Sequence, residues 1–394
     1  MAAHALLSAS GAARWINCPP SARLTEKMPD KGSSYADEGT VAHKLAEIKL
    51  RRRLTPCNSK QRDALAKELE QVKQDQYYNT EMENTIQEYV EQVEERYTEA
   101  KARSKHAHQI LLEERIALSE WVPEAFGTCD VVIISEGVLE VIDLKYGQGV
   151  PVSAEGNPQM RLYGLGAWNE YSYLYDISEV RMTIMQPRRD NVSTEVLPLD
   201  ELLYWAEKVV RPAAQLAFAG KGEFNPGDHC KWCLAKANCK ARADKNMEVL
   251  SYQFKDPALL TIEEIGAILF IADQLQSWGK DVKDFAYNQA LAGTVIPQWK
   301  LVEGKSDRVI KDTKAAKEAL LAAEFPLDDI VKPQELMGIS ALEKRWGKRT
   351  IASTLKDLII KPPGKPALVP ETDRRPPLNS AENDFADIEM EELL

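Results

Sequence analysis

Cysteine is scarce in this chain, with six in 394 residues, too few for a scaffold built on disulfides. Long apolar runs are lacking as well: no stretch reaches the roughly 18 residues that a spanning helix needs, which excludes membrane insertion. The first residues carry neither a basic segment nor the apolar core of a secretory signal, so a soluble, cytoplasmic protein is expected. Positive charge is in the minority. Against 61 acidic residues stand 50 basic ones, a net charge of -11, which excludes a uniformly basic coating for nucleic acid. A phosphate-loop lysine motif and a dinucleotide fingerprint are also absent, and Gly147-Gln148-Gly149 lacks the surroundings of either, leaving no case for ATP hydrolysis. What is present, 44% apolar and 28% charged residues, suffices for one large or two ordinary cores.

Along the chain, Val41 to Glu47 reads as a helix capped by Thr40, with His43 in its first turn. From about Ser59 to Glu120 proline and glycine disappear and Glu, Gln, Lys and Ala dominate, which predicts one or two long solvated helices. Two short apolar strands follow, Asp130–Ile134 and Leu139–Lys145, joined by a glycine-bearing hairpin connection. Pro158 to Ser172 has helical spacing despite Gly164 and Gly166, Val180 to Pro187 reads as a core strand, and Asp200 to Phe218 as a capped helix. This order predicts an α/β fold, a mixed central sheet flanked by helices. The expected units are a domain over 1–245 with a helical insertion at about 59–120, a mainly helical accessory module over 246–361, and a Pro-rich, acidic, flexible tail over 362–394. Residues 371–394 hold eight acidic and two basic side chains, so more than half of the net negative charge resides in that tail.

Asp143 and Lys145 are two apart on one strand and so share a face, and pairing with the preceding strand can bring Asp130 beside them. Gln159 and Tyr163 are four apart on one helical face. A surface salt-bridge group explains the charged triplet alone. The addition of His43, Gln159 and Tyr163 favours a site, in which Asp130, Asp143 and the Leu144 carbonyl offer oxygen ligands suited to Mg²⁺ or Mn²⁺, and His43 a nitrogen that Mn²⁺ accepts. Lys145 can orient or deprotonate an attacking water there.

Taken in order, Gly39-Thr40-Val41-Ala42-His43, Gly127-Thr128-Cys129-Asp130, Asp143-Leu144-Lys145 and Gln159-Met160-Arg161-Leu162-Tyr163 resemble the PD-(D/E)xK nuclease superfamily, in its RecB/AddB/Cas4-like branch. The resemblance covers about residues 8–245 and implies a restriction-endonuclease-like fold. It also implies metal-dependent hydrolysis of DNA phosphodiesters, commonly by an exonuclease. His43, Asp130, Asp143, Lys145, Gln159 and Tyr163 take the site roles, with Arg161 as a phosphate contact. A noncatalytic DNA-binding or recombination-assembly protein on the same scaffold is the alternative. The stretch Gly364 to Pro376 further resembles phage and prophage proteins of the DUF2800 type, which implies kinship over nearly the full length. Family likeness makes an annealing protein or a helicase a plausible partner beside DNA, and the long helices make a homo-oligomer plausible.

Cys230, Cys233 and Cys239 form a close cluster one ligand short of four, and Cys18 can complete it if the ends of the domain meet. This one-plus-three pattern resembles the [4Fe-4S] staple of AddB- and Cas4-like nucleases; zinc is the alternative, then unmetallated thiols. Cys57 and Cys129 have no comparable spacing and read as buried or incidental. His106 and His108 read as solvated residues of the helical insertion. The basic clusters at Arg51-Arg52-Arg53 and Arg188-Arg189 read as solvated charge unless folding gathers them into a phosphate-binding cleft.

Overall fold

The computed structural model describes residues 5–29, 34–104, 108–248, 262–301 and 339–347, with single positions at 314, 318, 354 and 355. A five-stranded sheet lies at the centre, in the spatial order β1 (Gln109–Ala117), β2 (Phe126–Ser135), β3 (Gly137–Leu144), β4 (Ile177–Gln186) and β5 (Asn191–Pro198). The β3–β4 pair is parallel and the others antiparallel, so the sheet is mixed, as the sequence predicts. The parallel pair needs a crossover, which α6 (Pro158–Tyr171) provides.

One sheet face carries α1 (Ala12–Asn17), α6, α7 (Leu199–Trp205) and α8 (Arg211–Ala219), around a core with Trp15, Val132, Met160 and Leu202. The other carries α3 (Ser34–Leu54), α4 (Ser59–Lys73) and α5 (Thr80–Arg103), around Leu45, Ile86, Val131 and Ile133. Both faces are thus covered, which explains the unbroken apolar runs of β2 and β3. A π-turn over Ala206–Val210 joins α7 to α8, ahead of Pro212, which cannot donate to the helix ladder. Beyond the cysteine segment come α9 (Lys240–Met247) and the long α10 (Ile262–Leu291), a distinct C-terminal helical module, then α11 (Ile339–Trp346). Asp281 on α10 reaches back to Arg242 at 2.8 Å and Lys236 at 3.1 Å.

Several sequence expectations need correction. The long polar stretch is helical only to Arg103; residues 109–117 form edge strand β1, because pairing with β2 overrides the helix-forming side chains of Leu111 to Arg115. The helix carrying His43 begins at Ser34, not at Thr40, whose hydroxyl donates back to the Ala36 carbonyl at 3.0 Å from inside the helix. Asp130 lies mid-strand rather than at a strand start. Asp200 sits in the first turn of α7 and makes no cap, and β5 is an additional edge strand. Gly164 and Gly166, which weaken α6 as an isolated helix, let it lie close on the sheet. A Cβ at Gly164 would stand 2.8 Å from Val180 and one at Gly166 2.7 Å from Leu118.

Much of the accessory module expected over 246–361 and all of the tail over 362–394 lie outside the described residues, as does His106. No helix among the described residues is long and apolar enough to cross a membrane.

Candidate metal centre

The β2–β3 ladder runs from Ser135↔Val138 to Val131↔Ile142 and then stops. Leu144 N–H, which has no ladder partner on β2, donates instead to Asp130 Oδ2 at 2.7 Å. The next amide, Lys145 N–H, donates to the Met185 carbonyl at 2.9 Å and keeps β3 tied to β4. The two strands therefore part with a carboxylate between them, and the site forms in that opening.

Strict alternation also fails there. Val131 and Ile133 point to the α5 side and Val132 and Ile134 to the α6 side, yet Cys129 lies on the α6 side too. On β1, Ile110 and Leu112 belong to the α5 side and Ile116 to the α6 side. Both strands thus change parity at facing positions, Glu113 and Asp130, which the rungs Leu112↔Val131 and Glu114↔Cys129 bracket. Glu113 itself takes a left-handed φ of 52°, an uncommon conformation for a side chain of its size. The double switch aims both carboxylates at His43 on α3. His43 Nδ1 stands 3.2 Å from Asp130 Oδ1, and ligand atoms of His43, Glu113 and Asp130 all lie within 4.8 Å of one another. This is a set of three residues able to hold a metal ion.

On the α6 side, Asn157 caps the helix by accepting from the Gln159 and Met160 amides, with Pro158 in the first turn. That fixes Gln159, whose Nε2 donates to Asp143 Oδ1 at 3.2 Å and to the Tyr163 hydroxyl at 3.3 Å. Lys145 Nζ donates to Gln159 Oε1 at 3.3 Å and stands 2.9 Å from Asp143 Oδ2. Asp143 Oδ2 is buried and faces this ammonium. Tyr163 in turn packs on Gly127, where a Cβ would come within 2.7 Å of the ring.

The charges respond to this crowding. Burial alone would lower the pKa of His43, but the charge and hydrogen bond of Asp130, with Asp143 and Glu113 behind it, push it up to about 9. Burial, reinforced by Asp130, raises Glu113 to about 7. Burial also raises Asp143, opposed by the Lys145 ammonium; for Lys145 burial works downward and the Asp143 charge overrides it. A cation would relieve the repulsion between the Glu113 and Asp130 carboxylates that Asp143 adds to.

All six site residues expected from the sequence gather around this opening, in two halves linked through Leu144. Glu113 is the residue that the sequence reading missed, because it lies on the unrecognised strand β1. Asp143 is outside the tight set and faces Lys145 and Gln159, while Leu144 supplies its N–H to Asp130. Arg161 is not free for phosphate: its Nε donates to Glu195 on β5 at 2.9 Å. Of the basic clusters, Arg188 is engaged by Glu38 and Glu81, each within 3.3 Å, and Arg51 by Glu47 at 2.8 Å and the Leu112 carbonyl.

The four clustered cysteines are not disulfide-bonded. Cys18, Cys230, Cys233 and Cys239 line one small pocket with Arg14, Lys236 and Arg242, so folding does bring Cys18 to the downstream three. The Gly227 N–H points at Cys230 Sγ, 3.4 Å away.

The fold and this opening define a nuclease-like α/β scaffold with a candidate three-ligand metal site. The chain belongs to the DUF2800 family, described as "Protein of unknown function (DUF2800)", whose profile matches residues 4–376. A solved structure described as "Crystal structure of SSO0001" is similar over 50% of this chain and 95% of its own, at 17% identity and a TM-score of 0.22, a likeness too distant to carry an argument.

Proposed function

We propose that the protein is a Mg²⁺- or Mn²⁺-dependent deoxyribonuclease, an exonuclease hydrolysing DNA phosphodiesters in phage recombination or DNA processing. The observation that carries this reading is the convergence of His43, Glu113 and Asp130 within 4.8 Å beside the pair of buried Asp143 and half-buried Lys145. The donor set fits a hard divalent cation: two carboxylates and one imidazole, with the Asp143 carboxylate, 2.9 Å from Lys145 Nζ, on the adjoining strand. Mn²⁺ tolerates the imidazole better than Mg²⁺ does.

Bound there, a divalent cation supplies Lewis-acid polarisation of a phosphoryl oxygen. The chain's own residues do the rest. Lys145 presents an ammonium that offsets phosphate charge and orients an attacking water. Gln159 holds Asp143 and Lys145 in register, and Tyr163 holds Gln159. Domain limits follow the same logic: residues 1–245 carry the nuclease unit and α10 belongs to an accessory module tethered through Asp281.

We read the four cysteines as the ligands of a [4Fe-4S] cluster, with zinc as the alternative. Arg14 sets a positive charge near Cys233, and all four donors are the thiols that such a cluster takes. Its role in this reading is to fasten Cys18 to the segment after α8.

The test is cleavage of end-labelled duplex, single-stranded and circular DNA by anaerobically purified protein with Mg²⁺ or Mn²⁺, against Asp143→Ala and Lys145→Ala. Turnover that needs a free end, needs the metal and disappears in both variants is expected. Equal lack of turnover in all three proteins, with DNA still bound, would favour the noncatalytic DNA-binding reading.

A further inference from the structure

Tyr89 on α5 is 1% exposed, and its hydroxyl has no hydrogen-bond partner among the described residues. A buried phenol normally finds one. Its place in the core is specific. In the cluster it shares, Ala42 precedes His43, Leu112 precedes Glu113, Val131 follows Asp130, and Ile142 and Leu144 flank Asp143. The tyrosine thus shares the core on the α5 side of the sheet with a sequence neighbour of every acidic or imidazole group in the opening. Burial and then the charges of Asp130, Asp143 and Glu113 push its pKa far upward, so it stays a proton donor inside the field of three carboxylates.

Metal-ligating carboxylates are held by hydrogen bonds from residues that do not touch the metal, and losing such a partner weakens binding about 10- to 100-fold. We propose that Tyr89 is a positioning residue for the metal centre: its hydroxyl donates to a carboxylate of the His43–Glu113–Asp130 set when that carboxylate turns to ligate the cation. The inference rests on reading this set as a cation site. It also gives the helical segment before β1 a part in the chemistry, because α5 supplies the donor.

The experiment is a Mn²⁺ titration of the full-length wild type and of Tyr89→Phe, Tyr97→Phe and His43→Ala, with thermal midpoints of each metal-free protein. Tyr97 lies two turns further along the same helix, against His108 and Lys101, and controls for loss of any α5 hydroxyl. Expected are a fall of about tenfold or more in the Mn²⁺ affinity of Tyr89→Phe, a metal-free midpoint equal to or above wild type, and no change in Tyr97→Phe. Wild-type affinity in Tyr89→Phe, with His43→Ala impaired, would overturn the role of Tyr89 and leave the cation site standing. A lower metal-free midpoint alongside lower affinity would mark a packing role and also overturn it. No Mn²⁺ binding by wild type would remove the cation site and this inference together.

Discussion

Asp130 holds the end of the neighbouring strand: its Oδ2 accepts from the Leu144 N–H at 2.7 Å, one step past the last rung between β2 and β3. Its Oδ1 meanwhile faces His43 at 3.2 Å. One carboxylate thus serves both the backbone and the candidate ligand set, and the two services can be separated. Asp130→Asn keeps an oxygen for Leu144 but loses the charge, so Mn²⁺ affinity should collapse while stability stays near wild type. Asp130→Ala also leaves a part-buried amide unpaired, and should cost about 1–3 kcal/mol more. Urea unfolding beside Mn²⁺ titration reads both. Equal stability of the two variants would show that the Leu144 hydrogen bond contributes nothing.

Gly127 is where Tyr163 seats. A Cβ there would lie 2.7 Å from Tyr163 Cε1, and the ring cannot retreat easily, being buried in the α6 core. Gly127→Ala should therefore destabilise by about 1–3 kcal/mol, as overpacking does, and disturb the Tyr163–Gln159–Asp143 chain of contacts. Nuclease turnover should drop while Mn²⁺ affinity, set by the other half of the site, holds. An alanine variant with wild-type stability and turnover would mean that the ring adapts at no cost.

The half of the site that was legible in the sequence is the half written at short range. Asp143 and Lys145 share a strand face, Gln159 and Tyr163 share a helix face, and the Asn157-Pro158 start of α6 sits between them. In the other half His43 and Asp130 were legible from the order of the motifs, whereas Glu113 depends on contacts that no local pattern carries. Glu113 lies in Leu111-Leu112-Glu113-Glu114-Arg115, good helix formers that become a strand only because β2 supplies a partner. Its aim depends on a parity switch shared with Asp130, visible only once the two strands are paired. Edge strand β5 escaped notice because its alternation, with Val192 and Val196 exposed and Glu195 buried, inverts the usual pattern of apolar inside and polar outside. The four cysteines were legible as a set because three lie within ten residues of one another; that Cys18 joins them is a statement about α1 and α2 (Ser21–Thr25) packing on α8.

The cysteine pocket makes a separate prediction. If the four thiols hold one cluster, Cys18→Ser should lower iron content as severely as Cys230→Ser, although the two positions are over 200 residues apart. Cys57→Ser should retain iron, since that thiol lies by Thr55 and Arg51 instead. Iron and acid-labile sulfide measured on anaerobic preparations, with absorbance near the visible thiolate-to-iron bands, checks this. Stoichiometric zinc in place of iron and sulfide would replace the cluster with the alternative metal, and full iron in Cys18→Ser would remove Cys18 from the set.

Glu195 gives the acid limb of stability a specific source. It is buried on β5, accepts from Arg161 Nε at 2.9 Å and from the Gly156 N–H at 2.9 Å, and so ties the edge strand to α6 and the loop before it. Burial alone would raise its pKa; the Arg161 and Gly156 hydrogen bonds and the Arg161 charge override that and hold it below the ordinary 4.5. A carboxylate whose pKa is depressed on folding contributes stability that is complete above its unfolded value and drains away as pH falls through the folded one. Glu195→Gln should therefore be less stable than wild type at pH 7, and the gap should close on acidification below about pH 4.5. Urea midpoints measured from pH 7 to pH 3 would show two converging curves. Parallel curves would mean that the Arg161–Glu195 pair survives protonation, and that the acid sensitivity of the fold arises at other carboxylates.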